Sequence, residues 1–167
     1  GGARDNISTD TFGMSWILRE GEPMFSYYGY KAIGVLQNAA DVANSPVYPG
    51  SKPGNPKYAD INGDNRIDAQ DRVILGSYLP KYTLGLANDF SWKNFTLSVA
   101  MQASIGAKMY TFENQYYQGN VLGALRRSLV ENQWWSEEEP GDGRMPAAAL
   151  SQLNFQGQSD IYLENGS

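Results

Sequence analysis

Large apolar residues alternate with small or polar ones most regularly between Tyr82 and about Ala103. Two alternating runs are separated by Lys93 and Asn94, which stand where a two-residue turn would lie. The apolar positions are Tyr82, Leu84, Leu86, Phe90, Trp92, Phe95, Leu97, Val99 and Met101. A period of two over this length is typical of strands that have one apolar face. The pattern therefore predicts a β-hairpin over residues 82–103.

The length of these strands fits two architectures. Strands of about 10 residues are long for a globular protein and match tilted membrane-spanning strands. The apolar face would then meet lipid and the small or polar face a barrel lumen, with Trp92 and Phe95 in an aromatic girdle. An ordinary hairpin of a β-sandwich has the same alternation. The pattern alone fits both equally.

The remaining segments predict a mainly β chain with antiparallel strands, long loops and one or two short helices. Residues 23–36 are rich in strand formers and predict one or two strands. Residues 38–43 predict a short helix, and the Pro- and Gly-rich residues 49–57 a loop. Residues 120–135 have the periodicity of an amphipathic helix, and the polar tail from 136 to 167 predicts loop.

Composition and charge exclude several classes of protein. The chain is 41% hydrophobic and 19% charged, which is not a disordered composition. A net charge of −5 without a basic patch excludes a nucleic-acid partner. The absence of Cys and His excludes disulfides, a Ser-His-Asp triad and most zinc sites. No apolar run reaches the roughly 18 residues of a transmembrane helix. The chain opens at Gly1, and we expect it to be cut from a longer protein.

Residues 60–71 have the spacing of a calcium-binding loop. Oxygen-bearing side chains fall at loop positions 1, 3, 5, 9 and 12, the spacing of the 12-residue calcium loop. The candidate ligands are Asp60, Asn62, Asp64, the backbone carbonyl of Arg66, Asp68 and Asp71. Ile67 would anchor the loop, and a short helix could follow from Ala69. A dication would relieve the repulsion among the four carboxylates, so we expect a structural calcium ion.

Two departures from that loop pattern leave an alternative open. Position 6 is Asn65 rather than Gly, although Asn is the best substitute in a left-handed conformation. Position 12 is Asp71 rather than Glu, which shortens the reach to an ion. The alternative is a solvated turn rich in Asp and Asn.

Catalytic residues are not predicted. Carboxylate pairs such as Glu20 with Glu22 could serve a glycosidase, but nothing in the sequence places a pair across a cleft. Trp134 and Trp135 could stack on a sugar ring, although their helical spacing from Leu129 is more typical of packing residues. We expect that this chain is not an enzyme.

Six segments in sequence resemble a known family. They are residues 21–37 (GEPMFSYYGYKAIGVLQ), 53–60 (PGNPKYAD), the acidic loop through Gly76, 79–85 (LPKYTLG), 92–99 (WKNFTLSV) and 135–140 (WSEEEP). Their order and spacing resemble the C-terminal part of SusC/RagA-family TonB-linked outer-membrane proteins. The departures are Asn65 at the loop glycine and Asn55 at an Asp of the second segment.

The resemblance implies a fold and a function. Such proteins are barrels of about 22 strands with an N-terminal plug. They import glycan oligomers or peptides beneath a SusD-like lipoprotein and take energy from the TonB complex. Residues 1–167 would be one fragment of the barrel in the bacterial outer membrane. The turn at 93–94 would face the periplasm, and the acidic loop and the long loop with its helix, 111–167, would lie outside the cell.

Two other functions remain as alternatives. The first is a secreted calcium-stabilised carbohydrate-binding or dockerin-like module; a dockerin would need a second Asp/Asn-rich loop, and none is present. The second is a glycoside hydrolase domain, which needs two acids placed in a cleft.

Overall fold

The computed structural model describes residues 5–9, 14–111, 127–147 and 159–166. The strands are β1 Asn6–Thr9, β2 Ser15–Leu18, β3 Ser26–Gly29, β4 Ala32–Val35, β5 Pro56–Tyr58, β6 Val73–Ser77, β7 Tyr82–Trp92, β8 Phe95–Ile105, β9 Lys108–Tyr110 and β10 Leu163–Asn165. The helices are α1 Ala39–Asn44 and α2 Arg127–Asn132, with 3-10 turns at Ala69–Asp71 and Asp160–Tyr162. The fold is mainly β, as predicted, and every named strand pair is antiparallel.

A four-stranded sheet in the order β1-β2-β3-β6 forms one part of the molecule. Met14, just before β2, and Ile17, within β2, are fully buried. Ile17 lies opposite Ser26 of β3. Burial of these apolar side chains drives the pairing of strands that are too short to be stable alone. The strand β6 replaces most of the helix predicted after Ala69, because Val73 and Ile74 pair with β3 instead of continuing the 3-10 turn.

A second core joins the acidic loop to the sheets. Tyr30, Tyr58 and Ile67 are buried together, and the rings of Tyr30 and Tyr58 lie 5.4 Å apart. The guanidinium of Arg72 lies 5.4 Å from the centre of the Tyr30 ring, in a cation-π contact. Ile67 therefore anchors the loop, as predicted. Burial raises the pKa of the Tyr58 hydroxyl well above its usual range.

The predicted hairpin is confirmed, and it is slightly longer than the pattern indicated. Strands β7 and β8 pair without a register shift from Tyr82 opposite Ile105 to Trp92 opposite Phe95. Lys93 has a φ of +51°, the positive value that the first central residue of a primed two-residue turn needs. The second strand ends at Ile105 rather than near Ala103.

Helix α1 confirms the short helix predicted at 38–43. Asn38 caps it, because its side-chain oxygen accepts the N–H of Asp41 at 2.9 Å. The described part of the longer predicted helix is α2, and residues 120–126 lie outside the described residues. No helix in the described ranges is long and apolar enough to cross a membrane.

The prediction that the second helix reaches residue 135 is wrong. Helix α2 ends at Asn132, and Gln133 forms a bridge with Met145. The N–H of Trp134 donates to the carbonyl of Met145, which removes it from the helix. The Trp134 ring lies on Gly54, where an added Cβ would come within 2.6 Å of it. Trp134 is therefore a packing residue, which is the more common role for such a side chain.

The prediction that the tail is only loop is also wrong. In its described part, a 3-10 turn at Asp160–Tyr162 leads into β10, which pairs with β9. Tyr162 is buried, and its ring meets that of Tyr110 edge-on at 6.1 Å. Three-residue strands are too short for a periodicity to be seen, so local sequence could not predict this pairing.

Candidate functional site

The hairpin has two chemically different faces. One face carries Tyr82, Leu84, Leu86, Asn88, Phe90, Trp92, Phe95, Leu97, Val99, Met101, Ala103 and Ile105. The other carries Thr83, Gly85, Ala87, Asp89, Ser91, Thr96, Ser98, Ala100, Gln102 and Ser104. Cross-strand neighbours share a face in an antiparallel pair, so the register places large apolar residues opposite one another except at Leu84 opposite Ala103 and Asn88 opposite Val99. Asn88 is the one polar interruption of the large face.

The large face is open to the surroundings. Exposed fractions are 70% for Trp92, 75% for Phe95 and 60% for Leu97. A continuous apolar face of this kind is rare on a water-soluble monomer and indicates an interaction surface. Within the described residues, β7 pairs only with β8, so the outer edges of both strands also carry unpaired backbone groups.

The small face contains the one charged residue of the two strands, Asp89. Its carboxylate accepts a hydrogen bond of 2.6 Å from the hydroxyl of Ser98, the residue directly opposite. The charge thus lies on the face that is already polar and is absent from the apolar one. This separation of charged and apolar residues is what we expect if the two faces of the hairpin contact different solvents.

The acidic loop is coiled by hydrogen bonds from its backbone to its carboxylates. The two carboxylate oxygens of Asp60 accept the N–H groups of Gly63 at 2.7 Å and Asn65 at 2.8 Å. Asn65 has a φ of +66°. The left-handed conformation predicted for loop position 6 is therefore present, and Asn adopts it at lower cost than most residues.

The middle and the end of the loop are held in the same way. Asp64 accepts the N–H of Arg66 at 2.9 Å and the side-chain amide of Asn62 at 2.9 Å. Asp71 is fully buried and accepts the N–H groups of Ile61 and Asp68, at 2.9 and 2.8 Å. Its carboxylate therefore closes the loop by joining positions 2 and 9 to position 12.

The candidate calcium ligands all lie on one short loop between Asp60 and Asp71. Within the described ranges, no three carboxylates come close enough together to hold a metal ion. The oxygen donors are of the type that Ca²⁺ takes. The chemistry of the donors therefore fits calcium, which also takes amide and backbone carbonyl oxygens.

The half-buried carboxylate of Asp160 was not predicted from the sequence. Its Oδ1 accepts the N–H of Ala32 at 2.7 Å, and burial raises the pKa of its carboxyl. No local signal could have found it, because its partner is 128 residues away in the chain.

Known proteins resemble the chain over much of its length. It is 38% identical over 97 residues to TonB-dependent receptor P3 of Formosa agariphila, a match that covers 58% of this chain and 10% of that protein. TonB-dependent receptor P26 of the same organism is 28% identical over 151 residues, or 90% of this chain and 15% of the relative. The chain is therefore similar to a segment of each of these two TonB-dependent receptors.

A third relative shows the same similarity. TonB-dependent receptor P39 of Formosa agariphila is 24% identical, and the match covers 83% of this chain. The chain spans only 10% to 17% of the length of these TonB-dependent receptors. No protein-family model matches it.

Proposed function

We propose that this chain forms part of the wall and outer loops of a TonB-dependent transporter in the bacterial outer membrane. The observation that carries the proposal is the register of the hairpin, which puts its large apolar side chains on one exposed face. Lipid tails are the surroundings in which such a face is stable, and the opposite small face suits a water-filled lumen. The relatives named as TonB-dependent receptors support it independently.

The length of the strands supports the same proposal. Each strand has 11 residues. Ten steps of about 3.4 Å give about 34 Å, and a tilt of about 35–45° reduces the height to about 24–28 Å. This height equals the apolar band of an outer-membrane barrel, which is about 25 Å tall. A sandwich strand needs only about half as many residues.

The proposed orientation places the turn at the periplasmic side. Barrels of this class have short periplasmic turns and long extracellular loops, and the connection of β7 to β8 is two residues long. At this turn the Lys93 ammonium lies 4.9 Å from the centre of the Trp92 ring. An aromatic side chain with an adjacent cation is suited to the membrane–water interface. The acidic loop and the short sheets then lie outside the cell.

We base the proposed substrate and partners on the six segments that resemble the SusC/RagA family in order and spacing. The protein that contains this chain would import glycan oligomers or peptides and would not be an enzyme. A SusD-like lipoprotein would cover the extracellular loops, and segments outside this chain would contact the TonB complex. Co-purification of a surface lipoprotein with the full-length protein, lost on deletion of the outer loops, would test the lipoprotein partner.

Spin labels on neighbouring residues test the proposed environment. The chain contains no cysteine, so Leu86→Cys and Ala87→Cys can be labelled singly in the full-length protein, in which any other cysteines are replaced. In lipid vesicles, the label at 86 should be relaxed by oxygen and the label at 87 by a water-soluble nickel complex. Leu97→Cys and Ser98→Cys should repeat the pattern on the second strand.

The same labels distinguish the alternative function. Burial of the label at 86 from both reagents, in a protein that stays soluble without detergent, would contradict the lipid-facing wall. That result would favour the secreted calcium-stabilised module.

We also propose that the acidic loop binds one calcium ion with a structural role. The loop is already coiled around its carboxylates, and Asn65 has the left-handed conformation that such a loop needs. The residues that would hold the ion are Asp60, Asn62, Asp64, the Arg66 carbonyl, Asp68 and Asp71. An ion there would neutralise the repulsion among four carboxylates and stabilise the outer surface.

A further inference from the structure

A cavity of about 610 Å³ lies between one end of the four-stranded sheet and the base of the hairpin. Its walls come from β6, from the segment that enters β7 and from the start of β9. This volume is within the range of small-molecule sites. Pro23, Leu79 and Pro80 provide an apolar part of the lining.

The stems of two lysines in the lining lie against glycines. An added Cβ on Gly76 would lie 2.7 Å from Cγ of Lys108, and one on Gly106 would lie 3.0 Å from Cγ of Lys81. Both distances are shorter than real Cβ contacts allow without movement, so the absence of a side chain at each glycine makes room for a lysine stem. The two stems are therefore packed against backbone.

The charge in this cavity is positive although the chain is acidic. The lining contains Lys81, Lys108 and one carboxylate, Glu22, which gives two positive charges against one negative. The Lys108 ammonium donates to Oδ1 of Asn165 at 2.9 Å and keeps two further donors. In the described part of the chain, no carboxylate lies within ion-pair distance of either lysine.

The cavity lies at the end of the hairpin that is opposite the turn at 93–94. Lys81 donates its backbone N–H to the carbonyl of Ile105 at 2.8 Å, just outside the ladder that begins with Tyr82 opposite Ile105. This bond fixes the backbone of Lys81 at the base of the hairpin.

We propose that this cavity binds the carboxylate of an organic anion whose neighbouring group is apolar, such as the C-terminus of a peptide that ends in leucine. Two ammonium groups would share the carboxylate, and the proline and leucine side chains would contact the apolar group. The proposal that the cavity binds a carboxylate depends only on the residues that line the cavity. The further proposal that the cavity is a substrate subsite at the outer mouth of a pore rests on the proposed function.

The test is a pair of probes that differ only in charge. Acetyl-Leu-Leu with a free carboxylate and the same dipeptide as its C-terminal amide are titrated into the full-length protein in detergent, by calorimetry. We expect the carboxylate to bind at least about fivefold more tightly than the amide. In Lys81→Met and Lys108→Met, which keep unbranched stems, this ratio should fall towards one.

Matched variants keep the result interpretable. Lys81→Arg retains the charge and should retain most of the preference, and Lys52→Met removes a lysine outside the cavity and should change nothing. Equal affinity of the two probes, or a preference that survives in both methionine variants, would overturn the proposal. Failure here with the spin-label pattern intact would leave the transporter wall in place, because the labels report on the middle of the hairpin and the probes on a cavity at its base.

Discussion

The buried carboxylate of Asp71 accepts the backbone N–H of Ile61 at 2.9 Å, and so joins the last residue of the acidic loop to its second. Its other oxygen accepts the N–H of Asp68, which begins the 3-10 turn. The loop is thus closed at both ends by one side chain. Because Arg72 follows immediately and contacts Tyr30, this closure also fixes how the loop joins the tyrosine core.

We predict that Asp71→Asn opens the loop. The amide has only one acceptor oxygen, so the N–H of Ile61 or of Asp68 would be left without a partner in a buried place. An unsatisfied buried group costs about 1–3 kcal/mol. Hydrogen exchange at the Ile61 and Asp68 amides should accelerate accordingly. Asp64→Asn, at an exposed position, should leave both amides protected; equal exchange in the two variants would contradict the closing role of Asp71.

Removal of calcium should lower the thermal stability of the acidic loop if it binds the ion as proposed. We expect EDTA to lower the melting temperature of the full-length protein and to expose the segment 60–71 to protease. Asp64→Ala should lower the melting temperature in calcium but make little difference in EDTA, because the ion is then already absent. A constant difference between variant and parent in both buffers would show only the loss of the Asp64 hydrogen bonds and would end the metal proposal.

Much of the fold could be predicted where the determining contacts are local. The hairpin could be predicted because the alternation of apolar and polar residues continues along two long strands. Helix α1 could be predicted because its cap, Asn38, directly precedes it in the sequence. The tail could not be read, since the bond between Asp160 and Ala32 joins residues far apart in sequence. Helix α2 ends earlier than predicted for a similar reason. The carbonyl of Met145 accepts the N–H of Trp134, and helical periodicity gives no sign of this contact.

The candidate sites also differ in how much of each could be predicted from local sequence. Loop positions 1 to 12 could be numbered from sequence because a calcium loop is a local motif, and the left-handed Asn65 agrees with that numbering. The full burial of the Asp71 carboxylate could not be predicted from the loop pattern, because it depends on how the loop packs against the rest of the fold. The lysine cavity could not be predicted at all, because its lining comes from segments that are far apart in the chain, among them β6, the segment that enters β7 and the start of β9.

Acid should weaken the contact between α1 and β5. The Lys57 ammonium donates to Asp41 at 2.9 Å and holds the pKa of that carboxyl below its usual range. A carboxyl whose pKa is lower when folded contributes stability above its unfolded pKa, and this stability is lost as the pH falls through the folded value. The side chains of Lys57 and Asp41 are 28% and 26% exposed. For such a partly exposed pair we expect this contribution to be about 0.2–1 kcal/mol.

The loss can be followed as the free energy of unfolding between neutral pH and the acid side of the usual carboxyl pKa. Asp41→Asn should flatten this part of the profile, and Lys57→Met should flatten it partly, since Gln37 and Ser45 still donate to the carboxylate. An unchanged profile in Asp41→Asn would mean that another carboxyl is responsible.

Arginine substitutions on the two faces of the hairpin should have very different costs. Leu86 is near the middle of β7 on the large face, opposite Met101, and Ala87 is its neighbour on the small face, opposite Ala100. An arginine on the lipid face near the middle of a bilayer costs about 2–4 kcal/mol, because it removes a charge from water. Leu86→Arg should therefore lower the free energy of unfolding in lipid vesicles by this amount, as measured by denaturant titration. Ala87→Arg should cost much less, since its guanidinium reaches the water of a lumen. Equal costs on the two faces would mean that both see the same solvent, and the hairpin could not then be part of a membrane wall.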